Sequence, residues 1–166
     1  MSVAASAAHA ARVRRAGPDD APVLRELCGE HADYERSAIA AEPAEAWMGR
    51  LRAALSGDCP RLRVWLACDA SEVLGYAAAS LEFSVWAARE YVHLDALYLR
   101  EAARGQGLGR ILLAQAAAFA RDSGCAQLQW QTPQWNRRAI AFYRREGARG
   151  QNKLRFTFET STPSGF

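Results

Sequence analysis

The sequence predicts an α/β (α+β) fold: a mixed, mostly antiparallel sheet with a central β-α-β crossover and flanking helices. Two strand-like stretches, 62–68 and 73–86, are separated by the polar turn residues 69–72, so they pair antiparallel. A third strand-like run, 91–99, is followed by a glycine-rich loop, a helical pattern and another apolar run at 128–131. Such a strand–helix–strand unit closes as a parallel crossover. Finally, 166 residues of which 50% are hydrophobic suffice for one core, and no repeat or internal linker divides them. The expected organisation is a flexible tail at 1–11, one domain at 12–160 and a short tail at 161–166.

Each element has its own signal. Residues 12–15 read as a short strand. Pro18, Asp19 and Asp20 open a helix, because proline suits a first turn and acids meet the positive end of the helix dipole. Its stripe of Ala21, Leu24, Leu27, Cys28, His31 and Tyr34 recurs every three or four residues. A second helix, 43–55, aligns Ala44, Trp47, Met48, Leu51 and Leu55, and Ser56-Gly57-Asp58 ends it. Leu62, Val64, Leu66 and Cys68 alternate along the next strand, and a further strand starts at Val73 and extends toward Trp86. The helix after the glycine loop carries Leu108, Ile111, Leu112, Gln115, Ala116 and Phe119 and stops at Gly124, a favoured C-terminal residue. The strand 128–131, a helix at 135–146 closed by Gly147 and a last strand at 154–159, with Phe156 and Phe158 alternating, complete the order. One more short strand near Arg149 is an open alternative.

Charge and cysteines exclude several classes. The net charge of +3 is mild, Lys153 is the only lysine, and no run of like charge gives a nucleic-acid footprint. Cys28, Cys59, Cys68 and Cys125 lack metal-ligand spacing, so four reduced and mostly buried thiols are expected, and no metal. The alanine-rich start lacks a basic region ahead of an apolar core, and no apolar run spans a bilayer. A cytoplasmic protein without membrane association is expected.

The segment Arg104-Gly105-Gln106-Gly107-Leu108-Gly109-Arg110 is the most telling. Glycines let main-chain N–H groups approach a ligand, and the helix that starts there adds unpaired donors and a partial positive charge. This is a site for phosphate or pyrophosphate. A dinucleotide fingerprint would need glycine at Arg110, and a P-loop would need Gly-Lys-Ser/Thr. Beside it, alternation along 91–99 sets Val92, Leu94, Ala96 and Tyr98 on one face, expected in the core. Tyr91, His93, Asp95 and Leu97 then occupy the other, where ligands collect outside the strand end. On the late helix, Asn136 and Tyr143 are seven residues apart, roughly 10 Å along the axis.

Arg104-x-x-Gly107-x-Gly109 resembles the acetyl-CoA loop of the GNAT N-acetyltransferase superfamily. The run Trp135-Asn136-Arg137-Arg138-Ala139-Ile140-Ala141-Phe142-Tyr143 is similar to the Trp-Asn-x-x-Ala/Ser-x-x-Phe-Tyr segment of its diamine (spermidine/spermine) acetyltransferase branch. The resemblance covers about 12–158 and is strongest over 95–147. It implies acetyl-CoA as co-substrate, with pantetheine against the main chain of Leu97, Tyr98 and Leu99, and the pyrophosphate held by 104–110. Asn136 would bond the pantetheine. Tyr143 would be the general acid for the departing thiolate and Asp95 the base. Tyr34, Glu35 and Trp86 would line the amine pocket, with His93 beside them. Relatives' habits imply a homodimer. For Asp95 a structural ion pair is the equal alternative; His93 is either a packing residue or a rival base, and Tyr143 could pack beside Phe142.

A base is needed because an alkyl amine is only about a thousandth neutral at pH 7, a cost of roughly 4–5 kcal/mol. The acidic complement is thin for a polycation: Ala96 follows Asp95, Ser84 stands where an acid is expected, and 151–153 carry none. A small primary amine, such as a diamine or amino acid, is therefore the expected acceptor. A protein N-terminus or lysine, or a non-catalytic acyl-CoA sensor, are the competing readings.

Overall fold

Val64, Leu66 and Cys68 are buried, and so are Trp65 and Ala67 between them, so the strand they form is covered on both faces. The computed structural model describes residues 11–37 and 42–158, and the chain divides into two compact units, Met1–Gln131 and Thr132–Phe166. The expected tails and Glu159, the end of the expected last strand, lie outside the described residues, apart from position 11.

The first unit contains β1 (Arg12–Arg15), α1 (Ala21–Tyr34), α2 (Ala44–Leu55), β2 (Arg63–Cys68), β3 (Val73–Ser84), β4 (Arg89–Leu99), α3 (Leu108–Asp122) and β5 (Leu128–Gln129). The strands form one sheet in sequence order, antiparallel up to β4 and parallel between β4 and β5. This is the mixed sheet with the expected crossover. Pro18–Asp20 forms a short 3-10 turn ahead of α1. Arg14 holds Asp20 with bonds of 2.8 and 2.6 Å, while Gly17 N donates to the same carboxylate at 2.9 Å.

One face of the sheet packs on α1 and α2. Leu24, Leu27 and Leu55 meet Val64, Leu66, Cys68, Tyr76, Ala78 and Tyr98 in a single buried cluster. The opposite face takes α3, whose buried residues are Leu108, Leu112, Leu113, Ala116, Phe119 and Ala120. The Phe119 ring lies 6.2 Å from that of Trp65. Each fully buried leucine in these layers contributes about 1.5–3 kcal/mol.

The register between β3 and β4 slips by one residue. Ala78 opposes Ala96, Ala79 opposes Leu94, and Asp95 has no partner. Such a bulge puts two successive residues on one side of the strand. The expected faces are therefore wrong beyond Asp95. Ala96 and Tyr98 share the α1 side with His93 and Asp95, whereas Leu97 joins Val92 and Leu94 on the α3 side. A strict period of two cannot foresee an inserted residue.

The β3–β4 hairpin also outruns its neighbours, because β2 pairs with β3 only as far as Ala79. Leu81, Phe83, Val85 and Trp86 are exposed along it.

The second unit contains α4 (Arg137–Arg145). Asn136 caps it, its Oδ1 accepting from Ala139 N at 3.1 Å, and Gly147 ends it at φ +88°. The expected strand at 154–159 does not form over its described part, nor does one near Arg149. Leu154, Phe156 and Phe158 are exposed at 80, 87 and 89%. Alternating side chains make a strand only when another edge accepts its hydrogen bonds.

Gly75 shows how closely β3 and β4 approach. A Cβ there would lie 2.2 Å from Tyr98 O and 2.8 Å from Leu99 Cα. Gly75→Ala is expected to destabilise the protein by about 1–3 kcal/mol through main-chain displacement. Urea unfolding with an unchanged midpoint would show that the strands separate without cost.

Candidate active site

The loop after β4 is built to present its main chain. Gly105 and Gly107 both sit at φ +83°, where L side chains are strained, and a Cβ on either would meet nothing within 4 Å. Gly107 is the N-cap of α3. Among the described residues, the N–H groups of Gly105 to Gly109 have no main-chain acceptor. Gln106 turns its amide back onto Ala102 O at 2.9 Å, and Leu108 is buried as the anchor of the first turn. Gly109 is half-buried and Arg110 exposed. Open space, bare donors and a positive helix end fit an anionic diphosphate.

Arg104 behaves differently from the loop that it begins. Its Nε donates to Leu99 O at 2.8 Å, and its guanidinium lies 4.5 Å from the Tyr34 ring centre and 5.7 Å from that of Tyr98. The side chain thus joins an aromatic cluster, and the loop offers N–H groups in its place.

Next to the loop, β4 has an open edge. β5 pairs with it only at Val92–Leu128 and His93–Gln129, so the ladder stops two residues earlier than the expected strand 128–131. Beyond His93 that edge of β4, including Leu97, Tyr98 and Leu99, has no strand partner among the described residues. An extended ligand arm can add there as a strand does.

On the α1 side the bulge turns Asp95 toward a polar cluster inside the core. His31 Nδ1 and Tyr76 Oη share a hydrogen bond of 3.1 Å, and Cys28 Sγ donates to the same hydroxyl at 3.4 Å. His31 stacks on Tyr98 at 5.1 Å, and its Nε2 stands 3.6 Å from Glu35 Oε1. Burial lowers the His31 pKa, against the pull of Glu35 and Asp95, so the ring is neutral near pH 7. Burial raises Cys28 and Tyr76, and the Asp95 charge adds to both. Asp95 is itself exposed.

Arg100 fastens this wall. Its Nε donates to Glu30 Oε1 and Oε2 at 3.1 and 3.2 Å, Nη1 to Glu72 at 2.8 Å and to Val73 O at 3.1 Å, and Nη2 to Glu26 and to Glu30. Tyr98 Oη donates to Glu30 at 3.3 Å.

The structure thus brings Tyr34, Glu35 and the bulged Asp95 to one wall of the first unit. His93 is half-buried on the same face, opposite Ser80. Trp86 is not brought there. It is fully exposed at the hairpin tip, and the six residue steps along β4 from Arg89 to Asp95 alone span roughly 20 Å. In the sequence, His31 and Cys28 are ordinary members of an apolar stripe, and neither Tyr76 nor Arg100 belongs to a motif. Tyr76, the one hydroxyl in an otherwise glycine- and alanine-rich stretch, was the available signal. In the second unit, Tyr143 is half-buried with its ring 5.2 Å from that of Phe142, and Asn136 is buried at 5% exposure.

The model of the acetyltransferase (GNAT) family matches residues 25–148. The chain belongs to the GNAT family. It is an acetyl-CoA-dependent N-acetyltransferase, on the branch resembling the diamine acetyltransferases. A thialysine N-epsilon-acetyltransferase of Bos taurus is 30% identical over 144 residues, covering 82% of both chains. A D-amino-acid N-acetyltransferase of Saccharomyces cerevisiae is 26% identical over 135 residues, covering 79% of this chain and 80% of its own. The fold matches that of an aminoglycoside N-acetyltransferase in complex with CoA, with a TM-score of 0.76 over 95% of this chain and 99% of that one, at 16% identity.

The Arg100 clasp makes a prediction about acid stability. The Arg100 hydrogen bonds hold the Glu30 carboxyl below its ordinary range, against a smaller opposing effect of burial. Its contribution is therefore complete above the unfolded value of about 4.3 and is lost as pH falls through the lower folded value. Glu30→Gln is expected to unfold more readily than the native protein at pH 7, by no more than about 1 kcal/mol because water screens the pair. The two stabilities should converge as pH drops below roughly 4. A pH-independent gap in thermal unfolding would mean that Glu30 acts by packing alone.

Proposed function

We propose that the chain moves an acetyl group from acetyl-CoA directly to the primary amine of a small molecule. Bare N–H groups in the glycine loop beside an unpaired stretch of β4, with a bulged carboxylate on that strand, are the observation that carries this reading. In it, the main chain of Leu97 to Leu99 holds the pantetheine, and 104–110, through main-chain donors, the pyrophosphate. Asn136 bonds the pantetheine as well. The N-acetyltransferases of thialysine and of D-amino acids among the relatives support a small amine as acceptor.

Acetyl-CoA supplies the activated thioester. Asp95 accepts the ammonium proton on a carboxylate oxygen as the nitrogen lone pair attacks, directly or through water. This lowers the cost of having only about a thousandth of an alkyl amine neutral at pH 7. Tyr143 Oη gives its proton to the departing sulfur. Tyr34 and Glu35 line the amine's approach, with His93 near the strand. Trp86 has no part in it, at its distance along the hairpin. The exposed Leu81, Phe83, Val85 and Trp86 support a homodimer as the working state. Sedimentation equilibrium should then return twice the chain mass, and a monomer at micromolar concentration would remove that element.

Tyr143→Phe is expected to lower kcat about a hundredfold or more while leaving CoA affinity intact. Asp95→Asn should lower kcat/KM at pH 7 and recover part of it toward pH 9, where more amine is neutral. Thiol release across a panel of diamines, amino acids and aminoglycosides, with calorimetric CoA binding, measures both. Undiminished turnover in Tyr143→Phe would strip that residue of its role. CoA binding with no turnover of any amine would reduce the protein to a sensor.

A further inference from the structure

We propose that Cys28, Tyr76 and His31 are positioning residues, a one-way chain of hydrogen-bond donors that leads out of the core and ends on Glu35, holding its carboxylate ready for the substrate ammonium. This rests on the acetyltransferase reading above, in which Glu35 lines the amine's approach.

The direction of the chain follows from counting protons. Tyr76 Oη has one proton and two hydrogen-bond neighbours, Cys28 Sγ at 3.4 Å and His31 Nδ1 at 3.1 Å. The thiol gives its only proton to the hydroxyl, because sulfur is a poor acceptor. The hydroxyl proton is then left for Nδ1, so the neutral ring carries its own proton on Nε2. That nitrogen stands 3.6 Å from Glu35 Oε1. The opposite arrangement fails at both ends. Nδ1–H would donate to Oη, the hydroxyl would be left with sulfur as its acceptor, and a bare Nε2 lone pair would face a carboxylate oxygen. Burial lowers the His31 pKa and keeps the ring neutral near pH 7, and only a neutral ring passes the direction on. Stacking on Tyr98 at 5.1 Å and an edge contact with Tyr76 at 5.9 Å fix the ring plane.

Glu35 needs such a hold. It directly follows α1, and Arg36 turns the chain away at φ +56°. No further helical turn covers its side chain, and side chains at a helix end lean back toward the residue four earlier, which is His31. The negative end of the helix dipole gives a carboxylate no support there. At 3.6 Å the Nε2–H contact is longer than a hydrogen bond, so it orients the half-buried carboxylate without using up its capacity to accept from a ligand.

The test takes Tyr76→Phe, His31→Gln and His31→Leu, and combines Tyr76→Phe with Glu35→Gln. Thiol release is measured with putrescine, lysine and thialysine as the varied amine. Tyr76→Phe keeps the ring and removes the donor. It should raise KM for the amine about threefold to tenfold, the effect of setting one long side chain loose, while kcat and CoA affinity stay native. His31→Gln still offers an amide N–H near the Nε2 position and should keep the native KM, whereas His31→Leu should raise it as Tyr76→Phe does. In the Glu35→Gln background Tyr76→Phe should raise KM no further, since its effect passes through that carboxylate. Nitrogen-15 spectra at pH 7 should show His31 as the Nε2–H tautomer in the native protein and as a mixture in Tyr76→Phe, with His31→Gln identifying its signals. A native Nδ1–H tautomer overturns the inference. So do an unmoved KM in Tyr76→Phe, whatever happens to kcat, and independent effects of Tyr76→Phe and Glu35→Gln. If Tyr76→Phe does not fold, the same KM in His31→Gln and His31→Leu overturns it. Each of these leaves the acetyltransferase reading standing, whereas silence with every amine of the panel removes that reading and this inference together.

Discussion

Hydrogen-bonded pairing between β3 and β4 admits one residue too many, and the position of that residue organises the first unit. With Asp95 left out of the ladder, the residues before and after it change sides. Val92 and Leu94 face α3, and Ala96 and Tyr98 face α1. Without the slip, Tyr98 would point away from Tyr76 and His31, and the stacked wall could not form. The carboxylate, which a regular strand would commit to one face in strict alternation, instead shares the α1 side with its neighbour and stays exposed to solvent.

A displaced carboxylate is useful only if the surface opposite it keeps still. Arg100 contributes that fixity, because one guanidinium ties the middle of α1 to the beginning of β3 and, through Glu30, to the Tyr98 hydroxyl. Gly75 lets β3 and β4 close tightly at the same level. Aromatic rings then fill the space between helix and sheet, with Tyr34, His31, Tyr76 and Tyr98 in mutual contact. Buried hydroxyl and imidazole groups are tolerated there because they bond to one another.

Much of this was legible in the residues, for identifiable reasons. The helices and the β4–α3–β5 crossover follow from periodicity and glycine punctuation, which are local properties. So does the shape of the glycine loop, since Gly105 and Gly107 take the left-handed conformations that only glycine adopts freely. Two kinds of information were missing. The bulge depends on how two strands pair across 15 or more residues, and nothing in 91–99 marks it. The cluster around Tyr76 needs α1 and β3 side by side, and each of Cys28, His31 and Tyr76 by itself reads as packing. The last strand failed for a related reason. Leu154, Phe156 and Phe158 alternate well, but alternation names a face and supplies no partner. Trp86 was misplaced because a hairpin's length past its neighbours is set by where β2 stops pairing.

The slip in β4 also has an evolutionary side. Excising Asp95 alone would give β3 and β4 an unbroken register, with every flanking residue still on the side it occupies now. The shortened protein would keep its layers and gain a ladder without interruption, yet lose the group assigned to receive a proton. On the proposed mechanism, regular pairing and chemistry therefore compete for a single codon, and a lineage released from the need for turnover has a short route to a tidier, silent sheet.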